Sequence, residues 1–322
     1  MPSRPWWGRK RAAADFEAQE AEFELRVERQ TVAVGVALAF EGLLLARRRV
    51  LLLEEAQSLL EGEVEAVKEL IAAGLLPAID RQRAATESLA GAAELADAQH
   101  EARLLEVEFA FALGFERPVE LELDDSSPLM ELADTPDLES LLVSAAAARP
   151  ELRAAEARYR ARLERLHLEA SGLRYLPQIG LGQKTESGDP TLFASLAVEL
   201  PVFDTARESF AKGNAELKEA AAGVRAAAHE VSRDVCTAEA EVRLLQDQLV
   251  SIRRPLLQQR EQLAEQARLL FEAGELEYLD YLSSRRAAVQ SKLDVCDLEG
   301  RSAAARVRLQ AALGDFSKYP SE

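Results

Sequence analysis

The sequence is poor in the residue types that build most catalytic and metal sites. Among 322 residues there are two cysteines, three histidines and two methionines. Two cysteines exclude a disulfide-stapled scaffold, and His100, His167 and His229 have no Cys or His partner at ligand spacing, which argues against a zinc module. No glycine-rich phosphate loop, nucleophile elbow or HExxH helix is present. Acidic pairs such as Glu54-Glu55 and Asp124-Asp125 read as solvated faces and loop charges rather than acid/base dyads. Positive charge is also short, with 39 Lys+Arg against 56 Asp+Glu and a net charge of −17. That balance disfavours nucleic acid, whose binding needs an electropositive face to displace phosphate counterions. The best apolar run, Thr31 to Ala46, contains Glu41 and falls short of the roughly 20 residues that span a bilayer, so it reads as a buried part of a long helix. The basic start, Met1 to Arg11, is followed by no apolar leader stretch and no small-residue cleavage site, so no signal peptide is read. Nothing in the residues calls for an enzyme, a cofactor or a metal.

What is abundant is helix former. Ala, Leu, Glu, Arg and Lys make up 58% of the chain, above the roughly 50% that marks coiled coils and long helices. From about Ala12 to Ala73 there is no proline, and Val50, Leu53, Ala56, Leu59 and Leu60 recur at three- and four-residue steps, which predicts one long amphipathic helix. Gly74 to Pro77 breaks it. A second helix follows from about Ala78 to Leu113 and stops at Gly114, and the short connection makes the two antiparallel neighbours. The stretch 115–137, with Asp124-Asp125-Ser126-Ser127-Pro128 and Asp134-Thr135-Pro136, reads as an irregular connector. Helix resumes at about Leu138 and continues to about Tyr175, split by Pro150.

The one clear β signal follows. Ile179 to Thr185 alternates, Glu186 to Pro190 reads as a turn, and Thr191 to Val202 alternates again, with Leu192, Ala194, Leu196, Val198 and Leu200 on one face. A lone hairpin is marginal in water, so this one is expected to pair with another chain or sheet. A second long helix is predicted over 206–273 with a kink or local break at Pro255, then a break at Gly274 and a last helix over 278–313. Cys236 and Cys296 fall on the two arms of this last hairpin with an axial mismatch of about 27 Å at 1.5 Å per residue, which predicts two free, mostly packed thiols.

The two helical hairpins repeat. At an offset of 200 residues Gly74 matches Gly274, Asp80 matches Asp280, and Leu113-Gly114 matches Leu313-Gly314, with 11 identities in 51 positions over 64–114 against 264–314. The expected divisions are 1–114 for a first-repeat helical hairpin, 115–137 for the connector, 138–314 for a second repeat carrying the β-hairpin 179–202 and the helical hairpin 206–313, and 315–322 for a tail. Counting back from Leu141 places the start of an equivalent first repeat about 60 residues before Met1. The chain is therefore expected to hold about one and a half repeats, N-terminally truncated by a helix and a β-hairpin.

Arg149-Pro150-Glu151-Leu152 opening a helix, Tyr175-Leu176-Pro177-Gln178-Ile179 entering a strand and Glu199-Leu200-Pro201-Val202-Phe203-Asp204 leaving one carry a family resemblance. So do Phe271-Glu272-Ala273-Gly274, Tyr278-Leu279-Asp280-Tyr281-Leu282 and the Ala312-Leu313-Gly314 ending. Together they resemble the TolC family of outer membrane efflux proteins over about residues 9–314. The resemblance implies a mainly α fold: long antiparallel helical hairpins of coiled-coil α-barrel type, with one β-hairpin of a transmembrane β-barrel. It further implies a homotrimer in outer membrane lipid with a periplasmic extension. Such a trimer is the passive duct of an efflux or type I secretion system, working with a periplasmic adaptor protein and an inner-membrane pump.

In such a duct the hairpin tips, Gly74-Leu75-Leu76 and Gly274-Glu275-Leu276, are expected to dock the adaptor, although each glycine also reads simply as a helix terminator. Asp80 and Asp280 are candidates for an acidic ring at a pore constriction, or for favourable first-turn charges at a helix N-terminus. Trp6 and Trp7 fit a membrane interface. The alternative to the duct is a soluble coiled-coil scaffold or a non-functional truncated relic of such a protein.

Overall fold

Ala-, Leu- and Glu-rich stretches uninterrupted by proline form helices of unusual length. The computed structural model describes residues 6–117, 119, 136–170, 178–186, 189–197 and 206–314. Helix α1 spans Trp6–Ala72, α2 Ala78–Ala112, α3 Leu138–Ala148, α4 Pro150–Ala170, α5 Ala206–Gln248, α6 Arg254–Glu272 and α7 Tyr278–Leu313. Strands β1, Gln178–Glu186, and β2, Asp189–Ala197, form one antiparallel pair. The fold is mainly α, with long helical hairpins and a single β-hairpin. No described helix is long and apolar enough to cross a membrane, which leaves the β-barrel question untouched.

Helix α1 starts at Trp6, earlier than the periodicity suggested, because no proline lies between Trp6 and Ala12 and the single Gly8 is tolerated there. Trp7 lies exposed in its first turn. Pro150 divides α3 from α4 as expected, and it opens α4 at the position where its missing N–H costs nothing. Most of the 115–137 connector, residues 171–177, the strand end 198–202, residues 203–205 with the close of the Glu199 to Asp204 motif, and the tail 315–322 lie outside the described residues.

Of the kink or local break expected at Pro255, the structure shows a local break in the regular α-helix just before it. Leu249–Arg253 form a π-helical turn, and the Arg254 N–H donates to the Leu249 carbonyl. This wider turn restarts the helix, so Pro255 falls in the first turn of α6. The π turn shifts the helical hydrogen-bond pattern immediately before the residue that has no N–H to give.

The chain forms two compact units. One contains residues 1–29 and 144–233. Its helices meet through small residues: Ala12 and Ala13 of α1, Ala154, Ala157 and Ala161 of α4, and Ala220 of α5 are all buried. At Gly213 an added Cβ would stand 3.1 Å from Leu166 Cδ1, so α4 and α5 pack too closely there for a larger residue. Arg158 of α4 binds Glu20 at 2.6 Å and Glu24 at 2.9 Å, and Arg162 binds Glu216 at 3.0 Å. These half-exposed pairs set register more than they add stability.

The second unit contains residues 30–143 and 234–322. Arg47 meets Glu106, Gln99 reaches Glu54, and Gln57 reaches Ser88, so α1 and α2 run antiparallel. Arg254 meets Glu299 and Lys292 meets Glu261, giving the same arrangement for α6 and α7. Between the hairpins, Gly300 admits Leu45, whose Cδ2 would lie 2.6 Å from an added Cβ. Leu43, Leu44, Val235, Val242, Ala305 and Val307 fill the core. Cys296 is buried, and desolvation raises its thiol pKa; Cys236 is exposed, so only one of the two free thiols is packed as expected.

The β-hairpin has continuous pairing from Gln178↔Ala197 to Glu186↔Asp189, so the ladder runs through residues the alternation had placed in the turn. Leu181 is 81% exposed and Leu196 67%. Among the described residues the sheet has two strands, which leaves apolar side chains and both outer strand edges without neighbours.

Candidate docking tips and acidic ring

Both helical hairpins end in the same way, and the reason is backbone chemistry. Gly74 has φ +75° and Gly274 φ +77°. The Gly74 N–H donates to the Ile71 carbonyl and the Leu75 N–H to the Leu70 carbonyl, each at 2.9 Å. The Gly274 N–H donates to Phe271 and the Glu275 N–H to Leu270, again at 2.9 Å. This is the Schellman closure, in which a left-handed glycine turns the chain back to satisfy the last helical carbonyls. Three residues before each Asp the pattern continues. Pro77 and Glu277 hold nearly the same extended conformation, φ −70° and ψ near 148°, before α2 and α7. The sequence identity of the tips is thus an identity of hydrogen bonds.

Of the six tip residues, Leu76 and Leu276 are half-buried against a cluster that includes Val67, Ala84, Ala267, Tyr278 and Leu282. That cluster draws from both hairpins, so the two tips share one core. Gly74, Leu75, Gly274 and Glu275 stay exposed, with Leu75 at 70%. The surface that the tips offer is therefore apolar on the first hairpin and acidic on the second.

The two aspartates are not equivalent. Asp80 is 3% exposed, and its carboxylate accepts a 2.8 Å hydrogen bond from the Arg83 guanidinium one turn on. Asp280 is exposed, and its backbone carbonyl accepts bonds from the Ser283 and Ser284 hydroxyls. Asp80 lies under its own chain while Asp280 faces outward.

Composition and spacing did not single out the residues that tie one hairpin to the other. Tyr281 donates its hydroxyl to Glu63, Arg285 pairs with the same carboxylate, and Arg286 pairs with Glu87. Phe271 stacks on Tyr281 with ring centroids 5.1 Å apart, and Tyr278 packs against both rings. Burial, with the Glu63 hydrogen bond second, pushes the Tyr281 phenol up to about 12. Burial, with the Glu63 charge second, also raises Tyr278. The available signal was local: three aromatics within eleven residues of a chain that is 6% aromatic, followed by Arg285-Arg286. No group of three or more metal-ligating side chains occurs among the described residues.

Comparison with known proteins places this arrangement. The family model for outer membrane efflux protein matches residues 141–315. Among solved structures, the outer membrane protein VceC of Vibrio cholerae is similar, with TM-score 0.76 and 20% identity, covering 96% of this chain and 76% of that one. The open state of the MtrE outer membrane channel of Neisseria gonorrhoeae has TM-score 0.76 and 18% identity, over 95% and 72%. The Campylobacter jejuni CmeC outer membrane channel has TM-score 0.72 and 15% identity, over 96% and 68%. At these identities the likeness speaks for the fold. No curated protein matches. Because the matched region is more than half of its residues, the chain belongs to the outer membrane efflux protein family, the TolC-like outer membrane channels, and is not an enzyme.

Proposed function

We propose that this chain is the outer-membrane duct component of a tripartite efflux or type I secretion system, passing small molecules or proteins passively. The observation that carries the reading is the β-hairpin. A two-stranded sheet with Leu181 and Leu196 exposed has neither a core nor closed edges, and in a bilayer every strand edge must meet a neighbour. A homotrimer that joins its hairpins into one barrel supplies those neighbours, with outer membrane lipid covering the apolar face. The long helices then form the periplasmic wall, and the charge of −17 faces water.

In this reading Gly74-Leu75-Leu76 and Gly274-Glu275-Leu276 meet the periplasmic adaptor, which in turn couples to an inner-membrane pump. The contacts of Tyr281 and Arg285 with Glu63, and of Arg286 with Glu87, hold the hairpins together near their tips. Three copies of Asp280, with Asp80 behind, form the acidic ring. Single-channel recording in a planar bilayer tests the ring: Asp280→Asn is expected to lower cation preference more than Asp80→Asn does. Unchanged selectivity in both variants removes it.

A further inference from the structure

The β-hairpin joins the helices where α4 ends and α5 begins, with seven residues before β1 and eight after β2. Helix α1 starts at the same end because it runs antiparallel to α4. Arg9 lies 3.5 Å from Glu164, while Arg158, closer to the start of α4, reaches Glu20 and Glu24. Helix α5 is also antiparallel to α4, with Gly213 beside Leu166 and Glu216 bonded to Arg162. All of these elements belong to one compact unit.

Charge is inverted at this end. Residues 6–11, 164–170 and 206–212 hold six Lys or Arg and three Glu, whereas the rest of the chain has 33 Lys+Arg and 53 Asp+Glu. Arg9 is taken up by Glu164 and Arg165 by Glu17. Lys10, Arg11 and Lys212 are exposed, and Arg11 meets Asp15 only at 4.0 Å with its side chain 80% exposed. Aromatic rings stand in the neighbouring turns: Trp7 is 60% exposed and Phe210 44%. Moving away from the hairpin, α1 presents Trp7 and then Lys10 and Arg11, and α5 presents Phe210 and then Lys212. At 1.5 Å per residue the cations stand about 3–6 Å further from the hairpin than the rings. A bilayer surface is layered in the same order, with rings at the boundary of headgroups and acyl chains and cations at the phosphates outside it.

We propose that this end of the first unit binds anionic phospholipid headgroups, with Lys10, Arg11 and Lys212 on the phosphates and Trp7 and Phe210 at the acyl boundary. The inference rests on the reading that the hairpin enters a bilayer, and it names the lipid met there. The overall charge of −17 does not oppose it, because attraction to a charged surface fades over a Debye length of about 8 Å. On α1, Asp15 faces Arg11 and Glu17 is held by Arg165. Glu20 and the acids beyond it stand about 14 Å or more from Arg11 along the helix.

Trp6 and Trp7 are the only tryptophans, so the chain carries its own reporter at this surface. The full chain in non-ionic detergent is titrated with brominated phosphatidylglycerol or brominated phosphatidylcholine, whose bromines quench tryptophan on contact. Each cation near an anionic lipid surface is worth about a fivefold gain in affinity, so half-quenching should need roughly tenfold less phosphatidylglycerol than phosphatidylcholine, or better. The triple variant Lys10→Gln, Arg11→Gln, Lys212→Gln should be quenched alike by both. Equal quenching by the two lipids in the unaltered chain overturns the proposal, as does no quenching by either, and that comparison needs no variant. A preference that survives in the triple variant overturns the assignment to these cations. Loss of the preference on adding inorganic phosphate at constant ionic strength would mean a free-anion pocket and overturns it too. A heat-stable trimer without a phosphatidylglycerol preference sinks this inference alone; a preference in a chain that forms no trimer leaves the lipid surface standing and sinks the duct.

Discussion

At the scale of single residues, the pairs that the 200-residue offset made equivalent divide into those set by backbone and those set by neighbours. Gly74 and Gly274 have the same φ, the same hydrogen bonds and open space where a Cβ would go. Alanine at either should therefore cost only left-handed strain, roughly 1–2 kcal/mol, in denaturant unfolding. Gly62 is exposed inside α1, toward its C-terminal end, also with nothing near its Cβ, so Gly62→Ala should stabilise by roughly 0.5–1 kcal/mol in the same assay. Asp80 and Asp280 share a sequence position but not an environment. Asp80→Asn, which weakens a buried carboxylate's bond to Arg83, is expected to cost about 1 kcal/mol, and Asp280→Asn to change stability by less than about 0.5 kcal/mol. The two phenols give a pH signature. Folding raises Tyr281 from its ordinary value near 10 up to about 12, and raises Tyr278 as well. The stability they contribute is complete below pH 10 and lost as pH rises through the window from 10 to 12, where the unfolded chain has released protons that the folded chain still holds. Melting temperature followed from pH 9 to 12 should fall less steeply in the Tyr278→Phe, Tyr281→Phe double variant than in the parent.

At the scale of elements, most of the helical plan was legible because proline and glycine punctuate it. Pro150, Gly74, Gly114, Gly274 and Gly314 each stand at an observed break or end. What alternation and periodicity could not show is how a break is accommodated. Pro255 marked a kink or local break, but did not show that the break would take the form of a π turn over Leu249–Arg253 that gives the proline a first-turn place. Pro255→Ala should accordingly change stability by less than about 1 kcal/mol, not by the roughly 3 kcal/mol that removing a mid-helix proline would gain; chemical denaturation of the two chains measures the difference. The hairpin shows the same limit. Gly188-Asp189-Pro190 read as turn chemistry, yet Asp189 and Pro190 sit in the ladder opposite Glu186 and Thr185. Contacts between distant elements were beyond reach for another reason. Tyr281 and Arg285-Arg286 stand out locally, but Glu63 and Glu87 are ordinary polar positions on amphipathic helices, and only packing reveals that α7 binds α1 and α2 through them.

At the scale of the whole molecule, the features that a single chain cannot satisfy are the most informative ones. Helical hairpins with closely similar tips, a β-hairpin exposing leucines and a strongly acidic surface suit a wall built from several copies. Family membership makes the outer membrane the place for that wall, and the homotrimer proposed above would supply neighbours for the unpaired strand edges. The most direct test is the state of the chain in the outer membrane. Outer-membrane fractions prepared from expressing cells should contain the protein as a trimer that survives detergent electrophoresis unheated and collapses to a 35 kDa band on boiling. A chain found only as soluble monomer, with no heat-modifiable form in the membrane fraction, would contradict the duct.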